Sequence, residues 1–486
     1  MRRFFTVFHA LGLMLVVFSF AYLLPVATAL IYGDFLLVWD FLLTMLWTFS
    51  AGVLMWLLTR RYRGELSIRH GYLLVVAMWT AMPAFGTIPL LMMIPNLSFT
   101  DAYFETISGM TTTGATVLVG LDNLPPAINL WRHELNWLGG MGIIVLAVAI
   151  LPLLGIGGRQ LFKAETPGPM KDTALTPRIA ETARNLWAVY FGITVACIVS
   201  LKMVGMSWFD AICHAFAALS LGGFSTHDNS VGYFNSPAIE FVLIVFMLVA
   251  AINFATHFLA WRGKSMKVYL SDAEAVATVI LIVGSCFGVG YFLWWQGVYP
   301  EFLTALRHAS FNLVSMATDC GFASVDFNQW PTFAPMWMLL LSCIAVSSGS
   351  TGGGIKMIRT LVLVKQAGRE FLLLLHPAAV NPMKIGGHVV ANNIVFAVLG
   401  FIFLYFISIA TLTFALLISG LDFVSSFSAV IACINNAGPG LGVVGPAGNY
   451  QGLTDFQSWV CVFAMLIGRL EIFTVLILFT PAFWKR

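Results

Sequence analysis

Long apolar segments recur along the whole chain of 486 residues, and each is long enough to cross a lipid bilayer as a helix. A spanning helix needs about 20 apolar residues. Charged residues make up only 10% of the chain, against roughly 25% in soluble domains. The sequence therefore predicts an all-α polytopic membrane protein with about ten spans. These lie roughly at 7–31, 35–59, 72–94, 134–156, 185–205, 238–261, 275–296, 334–374 (interrupted), 391–419 and 457–480.

The positions of the basic residues support this number of spans. Ten crossings place both ends of the chain on one side, and Lys and Arg concentrate on the cytoplasmic side of membrane proteins. All but four of the 25 Lys and Arg residues fall on the side of the termini, the exceptions being Arg132, Lys202, Arg307 and Arg469. The sequence therefore predicts cytoplasmic termini. The N-terminal apolar run continues to about Ile31 without a cleavage site, so we expect it to be a first transmembrane helix.

Acidic residues show the opposite distribution, since most of the 22 Asp and Glu residues fall on or toward the outer side. An acidic outer vestibule raises the local concentration of cations and steers them inward. Taken singly, each of these residues is equally well explained as part of an ordinary solvated rim.

Four further apolar stretches are too short to cross the membrane: roughly 100–111, 208–219, 302–316 and 422–434. About 12 residues at 1.5 Å rise per residue span ~18 Å, which is near half of a bilayer. A glycine-containing stretch follows each of them. This pattern is typical of a re-entrant half-helix, and irregular backbone at membrane depth must be buried in protein or line a water-filled cavity.

The order helix, half-helix, glycine loop, helix occurs four times after the first two spans. The anchor glycines of the four loops are Gly114, Gly223, Gly321 and Gly438, spaced by 109, 98 and 117 residues. We expect an N-cap at Ser207 and another at Thr100, and the fourth repeat fits only with about one extra residue. The repeats divide the chain into an N-terminal two-helix extension at 1–70 and pore repeats at 71–160, 161–265, 266–385 and 386–486.

Four copies of one unit in one chain predict four pseudo-symmetric half-helices that point at a common centre. Glycine permits backbone torsions that other residues resist, so each loop can aim carbonyl oxygens at the axis and replace the water around a monovalent cation. The alternative is that the four loops only pack together. The candidate filter residues are Thr111, Thr112, Thr113 and Gly114; Ser220, Leu221, Gly222 and Gly223; Thr318, Asp319, Cys320 and Gly321; and Asn435, Asn436, Ala437 and Gly438.

Two features at membrane depth lie outside these loops. Glycine and serine interrupt the eighth span at 347–354, and the freed backbone groups of Ser350, Thr351, Gly352, Gly353 and Gly354 predict a pore-lining stretch. The last span contains Arg469, and a charge there costs at least ~2.5 kcal/mol unless it faces a pore or a partner. The alternatives are a packing kink for the first feature and a structural ion pair for the second.

The motifs TTTGAT, GGFSTHD, SSGSTGGGIK and NNAGPGLG, together with WLGGMGIIVLAVAILPLLGIGG, RIAETA and GRLEIFTVLILFTPAFW, resemble the Trk/Ktr/HKT superfamily of cation transporters. The likeness is closest to TrkH-type potassium uptake proteins and covers essentially the whole chain. It implies a channel-like pore built from one polypeptide, which carries K⁺ across the bacterial cytoplasmic membrane without an organic cofactor. It also implies a homodimer and a cytosolic nucleotide-binding regulatory subunit of the RCK type.

The resemblance also suggests roles for particular residues. In the family the interrupted stretch lies below the filter as a gate, which implies that role for Ser350–Gly354, and Arg469 would stand beside it. A serine in place of the first-loop glycine goes with sodium transport, so the four glycines here favour potassium. Asp319 and Cys320 depart from the small neutral residues that are more common in the third loop. The Asp319 side chain would alter selectivity or conductance if it faced the pore, and would only pair behind the filter if it pointed away.

Two other classes of function are open to a chain of this composition. A proton- or sodium-coupled symporter would be expected to show inverted repeats and several ionisable residues at mid-membrane, whereas this chain has four parallel repeats and one deep charge. An intramembrane enzyme would need a nucleophile and a base, which the spans do not offer, so no catalytic residue is predicted. The GxGxxG match at 440–445 follows a half-helix instead of a strand, which excludes a dinucleotide site.

Overall fold

The computed structural model describes residues 2–62, 67–145 and 175–485, and most of these residues are helical. Six unbroken helices are long and apolar enough to cross a membrane: Phe4–Tyr32, Phe35–Tyr62, Arg69–Met93, Glu181–Met203, Ala273–Trp295 and Asn392–Ile418. Each coincides with a predicted span. Two more predicted spans are pairs of helices that bend at a short break. The structure therefore confirms an all-α polytopic membrane protein.

The remaining two predicted spans differ in how much of them is described. The span at 334–374 is interrupted as predicted, with helices Phe333–Ile344 and Met357–Leu375 on either side of a non-helical loop. The span at 134–156 begins as part of helix Pro126–Val145, and its second half lies outside the described residues.

The structure corrects the prediction that 238–261 and 457–480 are continuous spans. Helices Pro237–Ala250 and Phe254–Gly263 meet at 94°, and the last span bends by 115° between Arg469 and Ile472. At the first break, Asn253 caps the new helix by accepting a hydrogen bond from the backbone N–H of Ala255 at 2.8 Å. Apolar residues resume directly after both breaks, so the average hydropathy along each run could not reveal them. Tertiary contacts satisfy the freed backbone groups, as when Phe254 N–H donates to the carbonyl of Gly349 at 3.1 Å.

The described helices, in chain order, are Arg2–Ser19, Leu23–Tyr32, Phe35–Thr59, Ile68–Met93, Phe99–Met110, Pro126–Val145, Leu175–Met203, Trp208–Ser220, Pro237–Ala250, Phe254–Gly263, Lys267–Ser271, Ala273–Trp295, Phe302–Ala317, Phe333–Ile344, Met357–Leu375, Asn392–Ile418, Phe423–Ile434, Asp455–Arg469, Ile472–Leu476 and Pro481–Trp484. A small antiparallel hairpin, Lys384–Ile385 with His388–Val389, precedes the ninth span. Gly386 and Gly387 form its turn at φ +55° and +84°, which is the left-handed backbone that a two-residue hairpin needs. The sequence analysis did not predict this hairpin.

The two ends of the chain meet on one face of the molecule. The rings of Phe4 and Trp484 stack with centroids 5.9 Å apart, and Arg69 donates to the carbonyl of Lys485 at 2.6 Å. Both termini therefore lie on the same side of the helical bundle, as an even number of crossings requires. We use "inner" for this side and "outer" for the opposite one.

The two N-terminal helices pack closely on each other and on the first repeat. A Cβ atom on Gly12 would lie 2.8 Å from the carbonyl oxygen of Gly52, and one on Gly52 would lie equally close to the carbonyl of Gly12. Small residues permit this approach of two membrane helices. Tyr22 extends from this pair to stack against Trp131 at 4.5 Å. The extension thus braces the second helix of the first repeat.

All four predicted half-helices are present: Phe99–Met110, Trp208–Ser220, Phe302–Ala317 and Phe423–Ile434. Ser207 caps the second as predicted, but Ser98 and not Thr100 caps the first, by accepting from the backbone N–H of Asp101 at 3.0 Å. Asp422 caps the fourth by accepting from Ser425 N–H. These three caps each precede their anchor glycine by 16 residues. The fourth repeat therefore needs no extra residue, and the 16-residue third half-helix is instead longer than the others at its outer end.

Candidate functional site

Each half-helix ends in the same hydrogen-bonded turn just before its anchor glycine. The residue preceding the glycine donates its N–H to the carbonyl five residues earlier, at 2.8 Å in every case: Thr113 to Ser108, Gly222 to Ala217, Cys320 to Ser315 and Ala437 to Ala432. In a Schellman motif, this is the hydrogen bond that spans the larger number of residues. Such a motif normally has glycine at its left-handed position. Here non-glycine residues occupy that position, with φ from 53° to 63°: Thr112, Leu221, Asp319 and Asn436.

The anchor glycines themselves are also left-handed, with φ of +77°, +64°, +89° and +85° in chain order. The residue between each pair of left-handed positions has a negative φ. A backbone that alternates between the two hands turns its successive carbonyl groups toward one side of the strand. Each loop therefore presents a short row of carbonyl oxygens on one face, which is the arrangement that can replace the hydration shell of a cation.

The four loops face one another in a closed ring. A Cβ atom on each anchor glycine would collide with the carbonyl oxygen just before the anchor glycine of the next repeat. The distances are 2.1 Å from Gly114 to Gly222 O, 2.0 Å from Gly223 to Cys320 O, 2.4 Å from Gly321 to Ala437 O and 2.6 Å from Gly438 to Thr113 O. The fourth contact returns to the first loop, so the ring has fourfold pseudo-symmetry. Any side chain at these positions would displace a neighbouring carbonyl.

A cavity of about 80 Å³ lies on the outer side of this ring, and all four anchor glycines line it. The carboxyl ends of the half-helices point toward the same axis from the other side. Because the carbonyl end of a helix carries a partial negative charge, equivalent to roughly half an elementary charge, four such ends favour a cation between them. The structure thus brings together the anchor glycines of all four predicted filter loops.

Sequence reasoning missed a set of polar side chains on the half-helices, which bind the chain that follows each anchor glycine. Glu105, His214 and Asn312 each lie nine residues before their anchor glycine. Glu105 accepts from the N–H of Val117 at 3.0 Å, and Asn312 accepts from Ser324 N–H at 3.0 Å. His214 is hydrogen-bonded to the Ser225 hydroxyl at 3.0 Å. Their constant spacing from the glycines is the signal that could have found them.

The fourth loop uses a serine one residue earlier for the same purpose. Ser428 accepts a hydrogen bond from the N–H of Leu441 at 2.8 Å. Tyr450 adds a second support by donating its hydroxyl to the carbonyl of Gly438 at 2.8 Å. Each loop is therefore fixed between its own half-helix and the chain that returns to the outer side.

The basic residues that departed from the predicted charge distribution have specific partners. Arg132 is buried and pairs with Glu105 at 2.7 Å, and it also donates to the carbonyl of Ser225 in the second repeat at 3.3 Å. Arg307 pairs with Glu240 at 2.7 Å. These two arginines lie on the outer half because they join neighbouring elements there. The exceptions to the positive-inside rule thus have structural causes.

The third exception lies at the outer end of a helix. The ammonium group of Lys202 donates to the carbonyl of Met206 at 3.3 Å and lies 5.5 Å from the centre of the Trp208 ring. Such snorkelling at a helix end keeps the charge near the membrane surface.

The outer rim carries a hydrogen-bonded cluster around His227, which also lines the cavity. The imidazole is hydrogen-bonded to Asp122 and lies 3.6 Å from the carboxylate of Asp210, and its ring stacks on Tyr233. Burial alone would lower the pKa of His227, but the two carboxylates outweigh it and raise that pKa above its ordinary value. The imidazole is therefore charged over a wider pH range than a free histidine.

The interrupted stretch lies directly against the inner ends of two loops. A Cβ atom on Gly353 would lie 1.8 Å from the carbonyl oxygen of Asn435, and one on Gly352 would lie 3.0 Å from that of Thr318. Thr318 and Asn435 each lie three residues before their anchor glycine, at the inner end of the loop. The stretch from Ser347 to Gly354, which we name the inner loop, therefore lies beneath the ring.

Three charged side chains bind three consecutive residues of the inner loop. Arg469 donates to the carbonyl of Thr351 at 2.7 Å, and Lys356 donates to the carbonyl of Gly352. Asp319 accepts from the N–H of Gly353 at 3.1 Å. Arg469, Lys356 and Asp319 come from three different segments of the chain. The inner loop is thus held in place by charges and not by apolar packing alone.

Arg469 is only 3% exposed, and its second amino group donates to the carbonyl of Gly139 at 3.0 Å. Within the described part of the chain, no carboxylate lies within ion-pair distance of it. The acid two residues later, Glu471, pairs instead with Arg359 at 2.9 Å. The structure places Arg469 beside the inner loop.

The other residues of the inner loop bind the surrounding backbone. Ser350 donates its hydroxyl to the carbonyl of Ser347 at 2.6 Å, and Thr351 donates to that of Leu219 at 3.0 Å. Gly354 has a φ of +69°, and a Cβ atom there would lie 2.7 Å from the carbonyl of Ser342. The loop therefore contacts the inner ends of the second, third and fourth repeats.

An all-α membrane protein with four half-helices arranged around a ring of carbonyl-lined glycine loops belongs to the class of channel-like cation transporters. A family model described as "TrkH: Cation transport protein" matches residues 39–486. The chain belongs to this TrkH family of cation transport proteins.

Individual relatives match the chain over nearly its full length. The "Trk system potassium uptake protein TrkH" of Salmonella typhimurium is 46% identical over 98% of each chain, and the protein of the same name from Halomonas elongata is 44% identical over 99% of each. The crystal structure of the potassium transporter TrkH from Vibrio parahaemolyticus superposes with a TM-score of 0.92, at 44% identity over 99% of this chain and 100% of that one.

Proposed function

We propose that this protein takes up potassium across the bacterial cytoplasmic membrane through a selective, gated pore. The observation that carries the proposal is the closed ring in which each anchor glycine meets the carbonyl that precedes the next one. Such a ring supplies oxygen ligands without any side-chain charge, which suits a monovalent cation that must bind and then leave. The relatives reported above are potassium uptake or transport proteins by name, which favours K⁺ as the ion.

The proposed selectivity filter consists of the four residues that end each loop: Thr111–Gly114, Ser220–Gly223, Thr318–Gly321 and Asn435–Gly438. Glycine at all four anchor positions lets the loops approach one another closely enough to form one narrow passage. A serine at the first anchor would bring a side chain to within 2.1 Å of the carbonyl of Gly222. We therefore expect the four glycines to favour potassium over sodium.

The proposed gate is the inner loop, with Ser350, Thr351, Gly352, Gly353 and Gly354 as its central residues and Arg469 as its main anchor. The loop lies beneath two of the four filter loops and carries a buried arginine beside it. A guanidinium group on the ion path repels cations until it is displaced. Flux would then require the loop to leave Arg469.

The proposed assembly is inferred from the chain's membership of the TrkH family. We propose a homodimer with one pore in each protomer, embedded in lipid, with both termini in the cytoplasm. The inner face carries the basic residues that a cytosolic nucleotide-binding subunit of the RCK type would contact, among them Lys365 and Arg369. We also propose that repeats at 71–160, 161–265, 266–385 and 386–486 are the structural units of the pore, with 1–70 as an extension.

Rubidium uptake into liposomes that hold the purified protein and are loaded with potassium tests this function. Uptake that external potassium blocks and sodium does not is the expected result. Uptake that requires a proton gradient would instead support a symporter.

A pair of glycine variants assigns the selectivity to the ring. Gly114→Ser should lower the preference for potassium over sodium, because its side chain pushes on the neighbouring carbonyl. Gly120→Ser is the matched control, since Gly120 has a similar φ of +71° but no atom within 4 Å of a built Cβ. An unchanged ion preference in Gly114→Ser would remove Gly114 from the filter.

A further inference from the structure

Asp319 is the one member of the four equivalent left-handed positions that carries a charge, the others being Thr112, Leu221 and Asn436. Its backbone belongs to the third filter loop, with φ +63° and a hydrogen bond from its N–H to the carbonyl of Met316. Its side chain does not turn into the ring. It reaches the inner loop, where one carboxylate oxygen accepts from Gly353 N–H at 3.1 Å.

The second carboxylate oxygen of Asp319 is buried and has no hydrogen-bond partner among the described residues. The whole residue is 0% exposed. Lys356 and Arg469 bind the two preceding carbonyls of the same loop, those of Gly352 and Thr351. Within the part of the chain that the structure describes, neither lies within ion-pair distance of Asp319. A buried polar group costs free energy unless it is hydrogen-bonded, so the bond from Gly353 N–H fixes the Asp319 side chain in place.

The Asp319 side chain therefore links the third filter loop to the inner loop. Any movement of the inner loop that carries Gly353 away from Asn435 also breaks the bond to Asp319. Any change in the backbone of the third filter loop at Asp319 changes the position of that same acceptor. Two sites that share one contact in this way influence each other reciprocally.

We propose that Asp319 is a positioning residue that couples the selectivity filter to the gate, by holding the inner loop closed through Gly353 while its backbone forms part of the third filter loop. This inference rests on the proposed function. It predicts that the ions in the filter affect gate opening, because filter and gate share the Asp319 contact.

The test measures single-channel opening of the purified full chain in planar bilayers, with either potassium or rubidium on the outer side. Asp319→Ala removes the oxygen that accepts from Gly353 N–H. We expect this variant to open roughly tenfold more often than the wild type. We also expect its opening to lose most of its dependence on which ion is present.

Two further variants separate this role from a general effect on folding. Asp319→Asn keeps an oxygen acceptor for Gly353 N–H and should open nearly as rarely as the wild type. Glu240→Gln is the control for loss of a buried carboxylate in the neighbouring repeat, because Glu240 pairs with Arg307 away from both filter and inner loop. It should leave opening and its ion dependence unchanged.

A double variant tests whether Asp319 acts through the inner loop. In an Arg469→Ala background, where the loop has already lost its main anchor, Asp319→Ala should add much less than its tenfold effect. Independent, multiplicative effects would overturn the proposal, as would an Asp319→Ala channel with altered ion selectivity and normal opening. Wild-type protein that conducts no potassium would instead refute the proposed function.

Discussion

The ring of filter loops and the inner loop beneath it are built on opposite principles. The ring repeats one backbone arrangement four times, with the same left-handed positions and the same 2.8 Å turn in every repeat. The inner loop occurs once, and three unrelated charged side chains hold it. The comparison shows that uniform backbone can supply equal ligands around an axis, whereas the inner loop depends on side chains from three separate segments of the chain.

The largest effect should come from placing a methyl group in the ring. Gly223→Ala puts a Cβ atom 2.0 Å from the carbonyl oxygen of Cys320, so the second and third loops cannot both keep their positions. We expect rubidium uptake in proteoliposomes to fall by more than about tenfold. Gly205→Ala is the control, because Gly205 also has a positive φ of +105° but no atom near its built Cβ. Equal uptake by the two variants would argue against a ring at this level.

The two buried arginines should respond in opposite ways to the same substitution. Arg469→Ala removes an anchor of the inner loop, so basal rubidium uptake should rise several-fold. Arg132→Ala leaves Glu105 buried without its partner, which costs about 3–5 kcal/mol of stability and should not raise uptake. Uptake and thermal unfolding in detergent, measured on both variants, check the contrast. A rise in uptake from Arg132→Ala, or none from Arg469→Ala, would contradict it.

A smaller effect is expected from the polar side chains that support the loops. Asn312→Ala removes the acceptor of Ser324 N–H behind the third loop, which costs about 1–3 kcal/mol. The loop should become more mobile, and the preference for potassium over sodium should decline moderately without loss of uptake. Competition of sodium against rubidium uptake measures this decline. Asn393→Ala, on a helix outside the ring, provides a comparison variant.

The smallest effect concerns the outer rim. His227 has a raised pKa and is faced by Asp122 and Asp210, with Asp228 next to it in the chain. Below that pKa its positive charge offsets the two carboxylates, and above it the charge is lost. Uptake from low rubidium concentrations should therefore increase as the external pH rises, by less than about twofold because ions screen charges at the surface. His227→Gln should abolish the increase, whereas His308→Gln should keep it.

The fold could be predicted well from the sequence, because its main signals, long apolar segments and a recurring glycine loop, do not depend on tertiary contacts. Apolar length identified the spans, and the recurrence of Gly114, Gly223, Gly321 and Gly438 identified the repeats. The breaks at Asn253 and Glu471 were missed because each apolar run resumes directly after the break. Their cause is tertiary, since the surrounding loops accept the freed backbone groups.

The candidate site was predictable in part. The sequence grouped the filter residues by their spacing. Glu105, His214 and Asn312 also share one spacing from the anchor glycines, but only their contacts show that they support the loops. Arg469 stood out as a deep charge. Lys356 did not, because it follows the glycine- and serine-rich interruption and counts as one of many basic residues on the inner side. The direction of the Asp319 side chain also depends on the position of the inner loop, which only the structure gives.

The most direct test of the account is the location of a heavy monovalent ion in the protein. Crystals grown with rubidium in place of potassium should show anomalous scattering on the axis of the ring, among the carbonyl oxygens of Thr113, Gly222, Cys320 and Ala437. A peak there would establish the four glycine loops as the ion-binding filter. Rubidium bound elsewhere in the membrane region, with the centre of the ring empty, would contradict the central claim.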